Sequence, residues 1–283
     1  MEYCLICNTP YKRINNFVYK CKKCLFLKSN LKSGNGREIE GISELRRKNF
    51  RNIIKVIKSL NSHKKFKILE IGSGSGYFIE ECIKSELDIT GSEANDEEFI
   101  LLKKNFSKIL KISLPLKEIR AENYTKFDYI VFNDVFEHLE NLDKVIDQLK
   151  IFLNEDGKIL INLPSSDGVI FKFSNILKKI GFNNFYDRLW QKGLSSPHLS
   201  YFNNKNLSIL FEKYGYELIY SSSLDTVSKN GNYERLNSTI KSKIVCMFMS
   251  FILILFYYLQ KLFPRDIIFH VYHQKKKIKY FFF

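Results

Sequence analysis

Residues 67–76, Lys-Ile-Leu-Glu-Ile-Gly-Ser-Gly-Ser-Gly, constrain the fold of this chain more than any other stretch. A short apolar run that breaks on a glycine cluster and resumes as a helical pattern from Tyr77 to Lys84 predicts strand, sharp turn and helix. That is the first βα unit of a doubly wound sheet. Glycine suits the turn because the backbone can take left-handed φ values there and approach a ligand with no Cβ in the way. The ligand then sits beyond the carboxyl end of the strand. A second strand, Leu87 to Ser92, ends on Glu93, 21 residues after Gly72, where a carboxylate is placed to accept hydrogen bonds from ribose hydroxyls. The third glycine falls one residue short of a dinucleotide fingerprint, with Tyr77 in its place. Glu70 adds negative charge where a pyrophosphate would lie, and that charge suits a cationic ligand instead.

Further periodicity extends the α/β pattern. From Ile42 to Leu60 apolar residues recur at helical spacing with Arg46, Arg47, Lys48, Arg51, Lys55 and Lys58 on the remaining faces, a leading helix with a basic solvent side. Phe127 to Leu139 opens as a strand. Leu142, Val145, Ile146, Leu149, Phe152 and Leu153 mark an amphipathic helix, residues 154–157 are expected to end it, and Lys158–Leu163 reads as the next strand before Pro164. A third strand is expected somewhere in residues 108–120. A helix over 204–213, Gly215 and a strand over 216–222 follow.

The first 24 residues contain Cys4-Leu-Ile-Cys7 and Cys21-Lys-Lys-Cys24, two CxxC pairs separated by 13 residues. Each CxxC turn aims two sulfurs at one point, and four thiolates close a tetrahedral shell with no position for water, so the expected site is structural zinc in a small ribbon. The chain opens with neither a basic n-region nor an apolar h-region, which makes the cytoplasm the expected compartment and metal, rather than disulfides, the expected use of these cysteines. The expected organisation is a ribbon over 1–28, a turn-rich linker over 29–44, an α/β core over 45–228, and a hydrophobic helical insertion, returning strand and basic tail over 229–283.

Residues 1–67 hold 17 basic and 4 acidic side chains and residues 229–283 hold 10 and 2, whereas the segment between them is acidic. Basic ends fit nucleic acid or an anionic membrane surface. Only nine of the 45 positive residues are arginine, the better phosphate reader, so a drift of composition toward lysine explains the excess as well.

The string Glu70-Ile-Gly-Ser-Gly-Ser-Gly76 followed by Gly91-Ser-Glu93 resembles motifs I and II of the class I S-adenosylmethionine-dependent methyltransferases. Phe127-Asp-Tyr-Ile-Val-Phe-Asn-Asp-Val-Phe-Glu-His-Leu139 is similar to the family's fourth strand and its EHL signature, and His198-Leu-Ser-Tyr-Phe202 to the close of the fold. The resemblance covers residues 45–225. It implies a Rossmann-like doubly wound sheet whose last strand is antiparallel, with S-adenosylmethionine (SAM) as the methyl donor. By resemblance Glu70, Gly72, Ser73, Gly74 and Gly76 hold the methionine moiety, Glu93 holds the ribose, and Asn133 and Asp134 border the transferred methyl. His138 and His198 are the candidate bases, with a hydrogen-bonding role as the alternative for His138. Related quinone-directed enzymes suggest a divalent metal at Asp134, Glu137 and His138, a poor cage without other ligands. Zinc-ribbon-headed relatives point to a small or lipid-carrier-linked acceptor, a sugar of surface polysaccharides foremost. The rivals are an RNA methyltransferase that binds substrate through the basic ribbon, and a binding module that has kept the fold without catalysis. Nucleic acid is the weaker partner, because the motif-bearing core is acidic and carries no RNA-binding signature.

Ile244 to Leu259 is sixteen residues without a charge, between Lys241 and Lys243 on one side and Lys261 and Arg265 on the other. This is short of the ~20 residues of a spanning helix. The alternating run Asp266 to His273 resembles the last methyltransferase strand. If it returns to the core, residues 241–265 are expected to lie against an anionic membrane surface at its inner face, with a buried or dimer helix and a span as alternatives.

Overall fold

The computed structural model describes residues 2–34, 43–61, 65–118, 124–227, 231–237 and 242–275. The expected linker glycine Gly36, Lys241 and the basic tail over 276–283 lie outside the described residues. At the amino terminus β1 (Tyr11–Arg13), β2 (Val18–Cys21) and β3 (Leu27–Ser29) form an antiparallel ribbon. The helix α1 (Ser43–Ser59) follows, and then the alternation begins: β4 (Lys67–Ile71), α2 (Tyr77–Lys84), β5 (Asp88–Glu93), α3 (Asp96–Asn105), β6 (Ile109–Lys111), β7 (Phe127–Asn133), α4 (Leu142–Phe152) and β8 (Leu153–Pro164). The chain continues through α5 (Val169–Lys179), α6 (Asn183–Leu189), β9 (Ser200–Tyr201), α7 (Asn204–Lys213), β10 (Tyr216–Leu224), α8 (Asn232–Asn237), α9 (Lys243–Leu259) and β11 (Ile267–Gln274).

Seven strands form one sheet in the order β10-β11-β8-β7-β4-β5-β6. Those from β4 to β8 pair in parallel, and β11 runs antiparallel between β8 and β10. A parallel sheet buried on both faces reads as continuous apolar sequence rather than alternation, which is why Ile159, Leu160 and Ile161 in succession are all fully buried. On one face α4 buries Leu142, Val145, Ile146, Leu149 and Phe152, the stripe its periodicity marks. On the other, α1 buries Phe50, Ile53, Ile54 and Ile57 in one cluster with Phe78, Ile79 and Cys82 of α2.

The structure alters several boundaries. The third strand is only three residues long, because β6 is the sheet edge and pairs on one side alone. Residues 154–157 do not cap α4 in a loop. They belong to β8, which starts at Leu153 opposite Phe127, with a register irregularity before Tyr129 absorbing the extra residues. The leading helix does not turn its basic side wholly to solvent. Arg47 contacts Glu80 at 2.7 Å and Glu81 at 3.1 Å, Arg51 reaches Glu81 at 3.3 Å, and Lys48 reaches Asp225 at 2.6 Å, so three of the helix's basic side chains are paired within the fold.

The ribbon is also less separate than its composition suggests. β3 pairs with β9, Leu27 opposite Tyr201 and Lys28 opposite Ser200. The Ser29 hydroxyl donates to the His198 carbonyl at 2.7 Å, and the Gly34 N–H donates to the Leu194 carbonyl at 2.7 Å. The chain is therefore docked on the core at least to Gly34, and the linker expected over 29–44 is shorter. Phe17, Val18 and Leu27 pack with Phe171, Tyr186, Trp190 and Tyr201 in a separate cluster, so Phe171, Tyr186 and Trp190 fill the seam beneath the ribbon.

Asp266, at the head of β11, ties the carboxy-terminal hairpin to α5. Its Oδ1 accepts from the N–H groups of Ile170 at 2.8 Å and Phe171 at 3.4 Å, and the Val169 N–H donates to the Pro264 carbonyl. These are orphan donors of a helix amino terminus, supplied with an acceptor from 96 residues away. Asp266→Ala is expected to cost about 1–2 kcal/mol, the range for losing a helix cap, read as a lower urea midpoint with an unchanged slope.

Candidate active site

The chain runs from β4 outward to β5 and β6 and then returns to the other side of β4 as β7. The crevice at that reversal, beyond the carboxyl ends of the strands, is where ligands bind in such sheets. It holds a cavity of about 630 Å³ whose walls include Glu70, Gly72, Gly74, Glu93, Asn133, Asp134, His138 and His198. Residues 67–76, residues 87–93 and the end of the fourth strand thus converge on one space.

Gly72, Gly74 and Gly76 all have positive φ, at 69°, 49° and 76°, yet they do different things. A Cβ on Gly72 would meet Val135 at 2.8 Å, so this glycine brings the β4 turn against the β7 turn, whereas nothing lies within 4 Å of the Cβ position of Gly74. Gly74 faces the open crevice. The Cβ position of Gly76 is filled by Phe106 at 2.5 Å and Leu102, and Gly76 does not line the cavity. It packs α2 on α3. The Ser73 N–H donates to the Ser92 carbonyl at 2.8 Å and the Ser73 hydroxyl accepts from the Ser92 N–H at 3.1 Å, locking the turn to β5. Glu93 is held by three backbone donors: Gly74 at 3.1 Å to Oε2, and Ala94 at 2.8 Å and Asn95 at 3.1 Å to Oε1. A carboxylate has about four acceptor sites, so it keeps capacity toward the cavity.

Glu70 is 2% exposed. Its Oε1 accepts from the Asn133 amide at 2.7 Å, and Asn133 Oδ1 accepts from the Asn162 amide at 2.6 Å, a polar chain across β4, β7 and β8. Glu70 Oε2 is buried without a hydrogen-bond partner. Burial pushes the carboxyl up to about 8 against the opposing pull of the Asn133 amide, because a charge in a low-dielectric site costs more than one bond returns. A cation delivered to Oε2 would reverse that balance, so the site fits an ammonium-bearing ligand. Asn162 escaped the sequence reading although a signal was present: it is a polar residue inside the otherwise apolar, buried run Ile159–Leu163 of β8. Ile112, Ser113 and Leu114, just past β6, also line the cavity.

On the acceptor side the chain makes a single 3-10 turn over Phe136–His138. His138 Nδ1 lies 3.0 Å from the Pro197 carbonyl; a carbonyl only accepts, so Nδ1 carries a proton. His198 differs. Its Nε2 accepts from the Gln191 amide at 3.0 Å, and burial beside His138 pushes its pKa well below the usual range, which weakens it as a base. Glu137 is fully buried, its carboxyl oxygens have no hydrogen-bond partner, and burial together with Asp134 raises its pKa well above normal. Glu137 Oε1 lies 4.0 Å from His138 Nε2 and 3.9 Å from His198 Nε2. The trio with metal-ligand spacing is therefore Glu137, His138 and His198. Asp134, expected beside Glu137 and His138, stands outside that group.

At the ribbon's tip, Cys4, Cys7, Cys21 and Cys24 bring their sulfurs within 4.8 Å of one another, with 3.5 Å between Cys4 and Cys24 and 3.4 Å between Cys7 and Cys21. A disulfide would need about 2.05 Å. Zinc–sulfur bonds of about 2.3 Å at tetrahedral angles set sulfurs about 3.8 Å apart, so the four thiols fit such an ion.

A glycine turn preceded by a buried acid, a second acid at the next strand end and an antiparallel last strand define a class I S-adenosylmethionine-dependent methyltransferase. The chain belongs to the methyltransferase domain family, which matches residues 42–221. A SAM-dependent methyltransferase from Archaeoglobus fulgidus has a TM-score of 0.53 at 15% identity, covering 82% of this chain and 97% of that one. The plantazolicin methyltransferase BpumL, solved with S-adenosylhomocysteine, has a TM-score of 0.51 at 14% identity, covering 83% and 86%. At these identities the likeness is one of fold. No curated protein sequence matches the chain.

Glu70 sets a pH dependence of stability. With its folded pKa near 8 and its unfolded value about 4.3, the unfolded state ionises first, so the stability present below about pH 4.3 is lost as pH rises toward 8. Melting of the ligand-free protein is expected to show this decline, and Glu70→Gln is expected to flatten it between about pH 5 and 8.

Proposed function

We propose that this chain transfers the methyl group of SAM to a small or carrier-linked acceptor, a sugar of surface-polysaccharide biosynthesis being the class that the zinc-ribbon-headed resemblance favours. The observation that carries the reading is Glu70: a buried carboxyl, one oxygen held by Asn133 and the other without a partner, beside a glycine turn that opens onto the cavity. SAM supplies an electrophilic methyl on a sulfonium that already leaves readily, so the protein's main task is alignment. In this reading Glu70 Oε2 pairs with the donor's ammonium, Gly74 leaves room for its backbone to pass, and Glu93 accepts from the ribose hydroxyls. Ile112 to Leu114 flank the adenine. His138, oriented by the Pro197 carbonyl at Nδ1, takes the acceptor's proton, with Glu137 and His198 packed beside its Nε2.

The same reading assigns a structural zinc to Cys4, Cys7, Cys21 and Cys24. Through the β3–β9 pairing and the Ser29 bond to the His198 carbonyl, that ion would brace the acceptor wall without touching the donor turn.

The test is release of S-adenosylhomocysteine with nucleotide sugars and lipid-linked sugars as acceptors. An accepted substrate should be methylated by the wild type, and His138→Ala should lower kcat by about 10²–10⁴, the range for a positioned general base, with SAM affinity preserved. Glu93→Ala should lose donor affinity. Folded protein that binds SAM but methylates none of these acceptors would remove the sugar assignment; folded protein that fails to bind SAM would remove the enzyme. Zinc removal by a chelator should lower both melting temperature and turnover while leaving donor affinity within about twofold.

A further inference from the structure

Two helices, α5 at the cavity wall and α9, expose apolar stripes that nothing in the chain covers among the described residues. On α9 the stripe runs through Ile244, Phe248, Phe251, Leu255 and on to Leu262; on α5 it runs through Phe173 and Ile176 to Ile180, with Phe182 just beyond. These side chains are from about half to four-fifths exposed. Their spacing of three and four places each set on one helix face. The opposite face of α9 is anchored: Cys246 and Ser250 are buried, Lys48 lies 5.6 Å from the Tyr257 ring centre, and the Gln260 amide donates to the Val227 carbonyl.

The two stripes belong to one unit, because Pro264 and Asp266 at the end of the α9 excursion bind the first turn of α5. Ile170 and Phe171 of that same turn line the cavity. We propose that α9 and the outer face of α5 together form a docking surface for an anionic lipid bilayer, on which the chain lies with its acceptor cavity beside the lipid headgroups.

Charge selects this occupant. Residues 168–186 hold Lys172, Lys178 and Lys179 and no acid, and residues 236–265 hold Lys241, Lys243, Lys261 and Arg265 and no acid, although the chain as a whole has 30 acidic residues. Lys172, Lys179 and Lys243 are exposed, and Arg265 is paired with Asp225. An apolar stripe framed by cations matches an anionic leaflet, with the rings in the acyl boundary and the ammonium groups among the headgroups. A second copy of the chain fits less well: a two-fold interface sets the same patch against itself and would bring like charges face to face. Spanning is not the geometry either. No described helix is long and apolar enough to cross a membrane, and β11 carries the chain back into the sheet directly after α9.

Docking is independent of methyl transfer and is read without SAM. The full-length protein is sedimented with vesicles of phosphatidylcholine alone and of phosphatidylcholine with roughly one-third phosphatidylglycerol. The anionic vesicles are expected to retain at least about tenfold more protein, less at high salt. Phe248→Ser with Phe251→Ser, and separately Phe173→Ser with Ile176→Ser, should each weaken retention on the order of tenfold. Lys172→Gln with Lys179→Gln should shrink the preference for anionic vesicles. Melting curves establish that each variant is folded, and SAM calorimetry on the same samples keeps a failure of docking distinct from a failure of the donor site. Wild-type protein that stays in the supernatant, or that binds neutral and anionic vesicles equally, overturns the proposal. So does a dimer that the apolar substitutions split while vesicle retention is unchanged.

Discussion

The carboxyl of Glu70 is the point on which the rest of the site depends. It is buried at the end of the central strand, where the sheet reverses direction, and is held on one side only, by the amide of Asn133. Burying an acid in that way is unfavourable by itself. The fold compensates with a fixed chain of amides running from Asn162 through Asn133 to Glu70, and it leaves the second oxygen buried without a partner at the wall of a cavity whose other acid, Glu93, is pinned by the backbone of the glycine turn. The ligand that completes this arrangement is a cation carrying a ribose, which is the chemistry of the donor. Parallel pairing of β4 with both β5 and β7 delivers the three groups together, so the polar site follows from the order of apolar strands.

The opposite wall is built from distant parts of the chain. His138 comes from the turn after β7, and His198 precedes β9, an element only two residues long. So short a strand has little stability of its own. It is held because the amino-terminal ribbon adds β3 to its edge and because Phe17, Val18 and Leu27 pack with Trp190 and Tyr201. The ribbon therefore braces the His198 wall of the cavity through backbone pairing and aromatic packing, although its four cysteines lie outside the cavity.

Much of this order was legible in the chain. Residues 67–93 and 127–139 announced their strands and turns through apolar runs, glycines and acids at fixed offsets, and the antiparallel return of residues 267–274 showed as alternation. Features that depend on contacts between distant residues were not legible. Nothing near Cys24 states that Leu27 pairs with Tyr201, and nothing near Arg47 and Arg51 states that their charge is spent on Glu80 and Glu81 of α2. Gly76 looked like its two neighbours in sequence and differs only because Phe106 occupies the space beside it. Asn162 was within reach of the sequence, since an amide inside the buried apolar run 159–163 demands a partner, but the partner's identity required the register of β7 against β8.

Proton release on donor binding tests the account most directly. If Glu70 is held neutral by burial near neutral pH and must ionise to pair with the donor's ammonium, then calorimetric titration with SAM at about pH 7, in buffers of different ionisation enthalpy, should show close to one proton released per molecule bound. Glu70→Gln should abolish that release and weaken binding. Tight binding to the wild type with no proton exchanged, or the same release from the variant, would contradict the role assigned to Glu70.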